Sequence, residues 1–158
     1  MEIRKAGIKD TGTVSGIVQA TIAAVYPKYY PQGAVRFFSA HHTEEKIVRD
    51  IAEGKVFLLE EDGIPAGTVT VSANEICRLF VLPAFQHRGY GRQLMDLAEK
   101  KIFETYDTAV LDASLPAKGI YLKRGYRETA YHCIETGYGD HLCYDVMEKQ
   151  LSNEQEKV

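Results

Sequence analysis

The chain has 158 residues, a formal net charge of −3, 45% hydrophobic residues and 26% charged residues. That length and balance suit one globular domain with its own core, and the net acidity argues against a nucleic-acid surface. No apolar run reaches the length of a bilayer span, and Met1 to Lys5 carries no apolar segment of the signal-peptide kind; a cytoplasmic protein without a membrane partner is expected.

In chain order, Glu2 to Arg4 predicts a short strand. Asp10 or Thr11 caps a helix running to about Val25, with Val14, Ile17, Val18, Thr21, Ile22 and Val25 on one face. Tyr26 to Pro31 breaks it. Thr43, followed by Glu44 and Glu45, starts a second helix that Gly54 stops. Val56–Glu61, Asp62-Gly63 and Ile64–Ser72 read as a hairpin, and Asn74-Glu75 as the turn before a strand ending near Val81. Leu94, Leu97, Ala98 and Ile102 give the next helix an apolar stripe. Thr108–Ala113 is apolar enough for a central strand. A short helix from about Ala117 to Arg124 stops at Gly125, and a hairpin of Glu128–Glu135 and His141–Met147 turns at Gly137–Asp140. This order predicts a single α/β (α+β) domain over 1–150, a mixed and mostly antiparallel sheet flanked by helices, with a polar, frayed tail over 151–158.

Cys77, Cys133 and Cys143 are odd in number and show no Cys-x-x-Cys spacing, which argues against a disulfide framework or a structural zinc site. Cys77 and Cys133 fall in predicted strands and read as small buried apolar residues. His41-His42 lacks a third ligand at recognisable spacing, so solvated or capping histidines are expected and no metal. Tyr26, Tyr29, Tyr30, Phe37 and Phe38 read first as helix packing, with an amine-lining surface as the alternative.

The densest signal is Val81-Leu82-Pro83-Ala84-Phe85-Gln86-His87-Arg88-Gly89-Tyr90-Gly91-Arg92-Gln93-Leu94. A strand ends at Pro83, a glycine-bearing loop follows, and a helix begins. Such a loop turns backbone N–H groups toward one point before a helix N-terminus, where the orphan donors and the dipole attract phosphate. A dinucleotide fold is disfavoured because Leu94 stands at the third glycine position, and a triphosphate loop because no Gly-Lys-Ser or Gly-Lys-Thr follows.

Gln86-x-x-Gly89-x-Gly91 resembles the pyrophosphate loop of the GCN5-related N-acetyltransferases (GNAT). Ile76–Val81 looks like that family's preceding strand, and Ala117–Tyr126 like its later helix with a closing Gly-aromatic pair. The resemblance runs from about Val56 to Met147. It implies acetyl-coenzyme A as cosubstrate, with Gln86, His87, Arg88, Gly89, Tyr90, Gly91 and Arg92 at the pyrophosphate. It also implies Leu79, Phe80 and Val81 along the pantetheine arm.

Tyr121, four residues before Gly125, stands where the family often places the acid that protonates the departing thiolate. Glu75 is near the position of the family's glutamate base, with a solvated turn carboxylate as the alternative; Asp112 and His132 are further candidates. The expected reaction is direct attack of a small-molecule or peptide amine in a ternary complex. The rival is a non-catalytic acyl-coenzyme A sensor on the same fold. A homodimer is common in the family, and nothing in the sequence fixes the oligomeric state.

Overall fold

The computed structural model describes residues 1–152. The tail expected to fray therefore lies almost wholly outside the described residues. Seven strands form one sheet in the order β1-β2-β3-β4-β5-β7-β6. They are β1 (Glu2–Lys5), β2 (Val56–Glu61), β3 (Ile64–Ser72), β4 (Glu75–Val81), β5 (Thr108–Ala113), β6 (Arg127–Glu135) and β7 (His141–Gln150). The helices are α1 (Thr11–Val25), α2 (Gln32–His41), α3 (Glu44–Ala52), α4 (Tyr90–Phe103) and α5 (Leu115–Lys123). Among the described residues no helix is long and apolar enough to cross a membrane.

Strand alternation divides the core between two faces of the sheet. Phe57 and Leu59 of β2 face α4, where Leu94, Ala98 and Ile102 of the expected stripe are buried with Met95, while Leu97 is only partly buried. Val56 and Leu58 face the other way, toward Val14, Ile17, Val18 and Ile22 of α1, and Ile47 and Ile51 of α3. Thr43 caps α3 by accepting from the Lys46 amide at 3.3 Å, as its position before two glutamates predicts. Helix α2 has no counterpart in the sequence reading, because Pro27 and Pro31 hide a restart of the helical pattern just beyond them.

All neighbouring strands are antiparallel except β4 and β5. That parallel pair holds over two positions, Glu75 opposite Val110 and Ile76 opposite Leu111. Beyond Ile76, β4 leaves β5. The departure coincides with a register shift against β3 between Thr68 and Thr70, where Arg78 takes φ 45°. A non-glycine residue in this left-handed region is costly and must be held by its surroundings. The Arg78 guanidinium is held twice, by the Asp50 carboxylate of α3 and by the Thr70 hydroxyl of β3 at 3.2 Å.

The β6–β7 register brings Cys133 and Cys143 face to face as a disulfide. This corrects the expectation of unpaired cysteines, and Cys133 is exposed rather than buried. The reason is register: the two residues meet across a hairpin, a relation that sequence spacing alone does not display. Cys77 is unbridged and half-buried.

Candidate active site

The split between β4 and β5 opens into a cavity of about 670 Å³. Its walls come from the end of α1, from β4, from the loop and start of α4, and from α5 with the Ser114 that precedes it. Of the residues singled out in the sequence, Leu79, Phe80, Val81, Gln86, His87, Gly89, Tyr90, Gly91, Arg92 and Tyr121 all line it.

Local rules explain the loop. After Val81 a single 3₁₀ turn (Pro83–Phe85) reverses the chain, and the Gln86 side-chain amide donates back to the Val81 carbonyl at 3.0 Å. Gln86 thereby closes the loop on the strand that feeds it. His87 at φ 62° and Gly89 at φ 81° both adopt left-handed backbone, which turns the chain into α4. At the start of α4 the Gln93 amide bonds to the Gly89 carbonyl at 3.1 Å, so the amides of Tyr90, Gly91 and Arg92 precede the first helical bond. They are the orphan donors that the sequence pattern anticipates. Arg92, Lys123 and Arg124 add cationic side chains to the wall. This donor set, beside an apolar strand and in a cavity of the usual ligand size, fits a phosphorylated molecule with an apolar or amide-bearing arm.

Arg88 behaves differently from its neighbours. Its guanidinium pairs with Glu61 at 2.9 Å and lies 5.3 Å from the centre of the Phe85 ring. The Tyr90 hydroxyl also donates to Glu61. One carboxylate on β2 thus ties down two loop side chains, and the amides are left to face the cavity.

Tyr121 is 7% exposed. Burial pushes its phenol well above the ordinary tyrosine value, so the hydroxyl keeps its proton. The aromatic segment after α1 supports this region from behind. Tyr26 lines the cavity, and the Tyr30 hydroxyl accepts from the Leu115 amide at 2.6 Å, anchoring the first turn of α5. Tyr26, Tyr30 and Phe38 pack together at ring-centre distances of 4.7 to 5.5 Å. The packing reading of these rings is the one observed, although Tyr29 is half exposed. Sequence reasoning missed Ser114, Pro116, Lys123 and Arg124 as lining residues; the only available signal was their nearness to Tyr121.

Glu75 stands apart, outside the cavity wall at the opposite end of β4. It lies four positions before Leu79, roughly 13 Å along the strand. Burial raises its carboxyl above the ordinary value, and the nearby Asp112 carboxylate raises it further. Asp112 is likewise raised by burial, partly offset by His132 and His41. The three candidate bases therefore gather on the sheet face shared with α1 to α3. The histidine pair departs from expectation at His42. Burial, then His41 and Arg78, push its imidazole down to about 3, and its ring lies edge-on to Phe80 at 5.8 Å. Its place against Phe80 makes it a packed neutral ring, which adjacency to His41 in the sequence does not reveal. Among the described residues, no group of three or more His, Cys, Asp or Glu is arranged to hold a metal ion.

Comparison with known proteins agrees with this geometry. Residues 25–151 match the family described as acetyltransferase (GNAT) domain. An N-acetyltransferase of Lactobacillus delbrueckii subsp. lactis, from the pepI 3′ region, is 27% identical, with 87% of this chain and 90% of that protein covered. A GCN5-related N-acetyltransferase structure from Rhodopseudomonas palustris superposes with a TM-score of 0.86 at 23% identity, covering 95% of both chains. The PaiA N-acetyltransferase of Thermoplasma acidophilum, solved with coenzyme A, gives 0.74 at 21% identity, covering 94% of this chain and 98% of its own. The chain belongs to the GCN5-related N-acetyltransferases, acyltransferases that depend on acetyl-coenzyme A.

Proposed function

We propose that this protein transfers the acetyl group of acetyl-coenzyme A to a primary amine by direct attack while both substrates are bound. The observation that carries this reading is the opening of β4 from β5 after Ile76, with the loop amides and Tyr121 bordering the same cavity.

The loop amides of Tyr90, Gly91 and Arg92, with the N-terminal end of the 14-residue α4, bind the pyrophosphate. Past Ile76, β4 has no strand partner on its β5 side among the described residues, so its peptide groups are available to an amide-bearing arm lying in the split. An N–H among Leu79 to Val81 polarises the thioester carbonyl as negative charge develops on its oxygen. Tyr121 holds a proton at the departing sulfur. Its raised phenol makes full transfer to a thiolate of parent pKa about 8.5 uphill by about 2 kcal/mol or more. Tyr121 therefore acts chiefly by donating a hydrogen bond as the thiolate leaves.

The amine arrives from the α1–α3 face. Glu75 and Asp112 take no part in an ion pair among the described residues, which suits a cationic acceptor. Glu75 receives the proton that the ammonium must lose, through water given its distance along the strand. Its raised carboxyl is a better base than an ordinary glutamate.

The test is a mass-spectrometric screen of amines against acetyl-coenzyme A, with Tyr121→Phe alongside. Acetylation of one amine class, slowed in the variant at unchanged donor affinity, is expected. Donor binding without any product across small amines, polyamines, amino acids and peptides would favour the acyl-coenzyme A sensor. An unslowed Tyr121→Phe would remove the assigned role.

A further inference from the structure

The inner end of the cavity, away from the loop, is built by few residues. On β4 the wall runs from Val81 back to Leu79 and takes in no earlier residue of the strand. Across the split it begins at Ser114, the residue after β5. Tyr26 spans these two margins. Its ring centre is 6.3 Å from that of Phe80, and its hydroxyl lies beside Ser114. Tyr26 belongs to the core on the α1–α3 face of the sheet, and Tyr121 to the core on the α4 face. Burial and then Tyr26 raise the Tyr121 phenol, so the two side chains border the same end from opposite faces.

The Tyr26 ring is not free to swing aside. Its carbonyl accepts from the amides of Tyr29 and Tyr30 at 3.0 Å each, and Pro27 stiffens the 3₁₀ turn (Tyr26–Lys28) that results. Phe38 meets the ring edge-on at 4.7 Å, and Tyr30 packs on it at 5.5 Å. Moving it would open a packed aromatic cluster. Burial pushes the Tyr26 phenol up to about 12, so its hydroxyl stays protonated and neutral. Thr21 continues the wall with its own hydroxyl already spent on the Ile17 carbonyl at 2.7 Å. The inner end is therefore stiff and largely apolar.

We infer that Tyr26 limits the length of the acyl group this protein takes from its donor, admitting acetyl and excluding chains two or more carbons longer. The inference rests on the proposed donor reading, in which the pyrophosphate sits at the loop amides. From there the arm follows β4 from Val81 toward Leu79, which brings the thioester to the inner end of the cavity. Its acyl carbons then meet the Tyr26 ring and Phe80. Acetyl ends in a methyl group. Each further methylene must overlap a fixed ring or displace it, and overpacking a stiff wall is costly. Apolar pockets separate ligands that differ by one methylene about 10–200-fold.

The test is calorimetric titration of the full chain, without any amine, with coenzyme A and its acetyl, butyryl and hexanoyl thioesters. In the wild type the dissociation constants of the butyryl and hexanoyl donors are expected to exceed that of the acetyl donor about tenfold or more. Tyr26→Ala withdraws the ring and should remove most of that difference. Tyr26→Leu also withdraws it but keeps an apolar side chain against Phe38 and Tyr30, and it replaces the alanine variant if that one does not fold. The ratio between donors is the readout, because a general loosening of the site weakens all of them alike. A wild type that binds coenzyme A but takes the hexanoyl donor as tightly as the acetyl one overturns the wall and leaves the donor site standing. A folded variant that binds the acetyl donor and still rejects the longer chains does the same. A wild type that binds no coenzyme A overturns the donor reading itself, and this inference with it.

Discussion

The Gly33 amide donates to Asp140 Oδ2 at 2.8 Å, joining the first turn of α2 to the tip of the β6–β7 hairpin across 107 positions of sequence. The other carboxylate oxygen accepts from the Thr136 hydroxyl at 2.5 Å. A Cβ at Gly33 would lie 2.3 Å from Asp140 Oδ1, so any side chain there expels the carboxylate. Gly33→Ala should cost about 1–3 kcal/mol, the usual loss when a hydrogen bond to a charged group is broken and its partner stranded. Asp140→Ala should cost a similar amount. Urea unfolding of the double variant should show the two losses strongly non-additive, because both remove one contact. Additive losses would show that Gly33 acts through something else.

The two loop glycines should separate folding from donor binding. Gly89 sits at φ 81°, where an L-side chain costs about 1–2 kcal/mol, so Gly89→Ala should lower the melting temperature. Gly91 lies inside α4 without positive φ, and a Cβ there would meet its nearest neighbour, Val81 Cγ2, at an ordinary 4.0 Å. Gly91→Ala should therefore leave stability unchanged or raise it by about 0.5–1 kcal/mol. The added methyl lies on the cavity wall, and overpacking there should raise the dissociation constant for acetyl-coenzyme A about tenfold or more. Calorimetric titration beside thermal unfolding gives both quantities. Gly89→Glu, adding bulk and like charge, should abolish donor binding in folded protein.

Strand β4, its loop and α4 were legible because the information is local: an apolar strand, a proline stop, two glycines and an apolar stripe follow one another in the chain. The Val56–Ser72 hairpin and Thr108–Ala113 were legible from alternation and turn residues in the same way. The Arg78 bulge was not, since nothing local marks Arg78 for φ 45°; the conformation is held by Asp50 and Thr70, distant in sequence. The splaying of β4 from its neighbour was expected only through the family resemblance, since no local residue pattern marks where a parallel pairing ends after two positions. The Cys133–Cys143 bond and the Tyr30–Leu115 contact were hidden for a related reason: both are products of register and packing.

Glu75 makes a prediction about pH. Its carboxyl is raised first by burial and then by Asp112. As the proposed base it must be ionised, so kcat at saturating acceptor should fall as pH drops through that raised value, earlier than for an ordinary glutamate. Glu75→Gln should lower kcat about a hundredfold and remove this acid limb. Donor affinity should be unaffected, since Glu75 lies outside the cavity wall. An acid limb that persists in Glu75→Gln would move the role to Asp112 or His132, and the corresponding variants would then be compared.

Glu99 of α4, with a side chain 7% exposed, accepts from Arg124 at 2.7 and 2.9 Å, from Tyr126 at 3.0 Å and from Lys149 at 3.2 Å. Burial alone would raise its carboxyl; the hydrogen bonds and charge of Arg124, with Lys149 and Tyr126, leave it below the ordinary value. The charged form is thus the one the fold stabilises. That stability is present above the unfolded carboxylate value of about 4.3 and is lost as pH falls through the lower folded value. Glu99→Ala should cost about 3 kcal/mol near neutral pH, because it leaves the Tyr126 hydroxyl without its acceptor and Arg124 with Asp96 alone. Glu99→Gln keeps an acceptor for Tyr126 and should cost less, and its deficit against wild type should shrink below pH about 4. Replacing Glu99 and Arg124 together by apolar residues of similar volume should recover much of the Glu99→Ala loss, since the desolvation of both charges goes with them. Denaturant unfolding of this series at neutral and acid pH checks all three outcomes; an equal deficit at both pH values would show that the ionised carboxylate contributes no stability of its own.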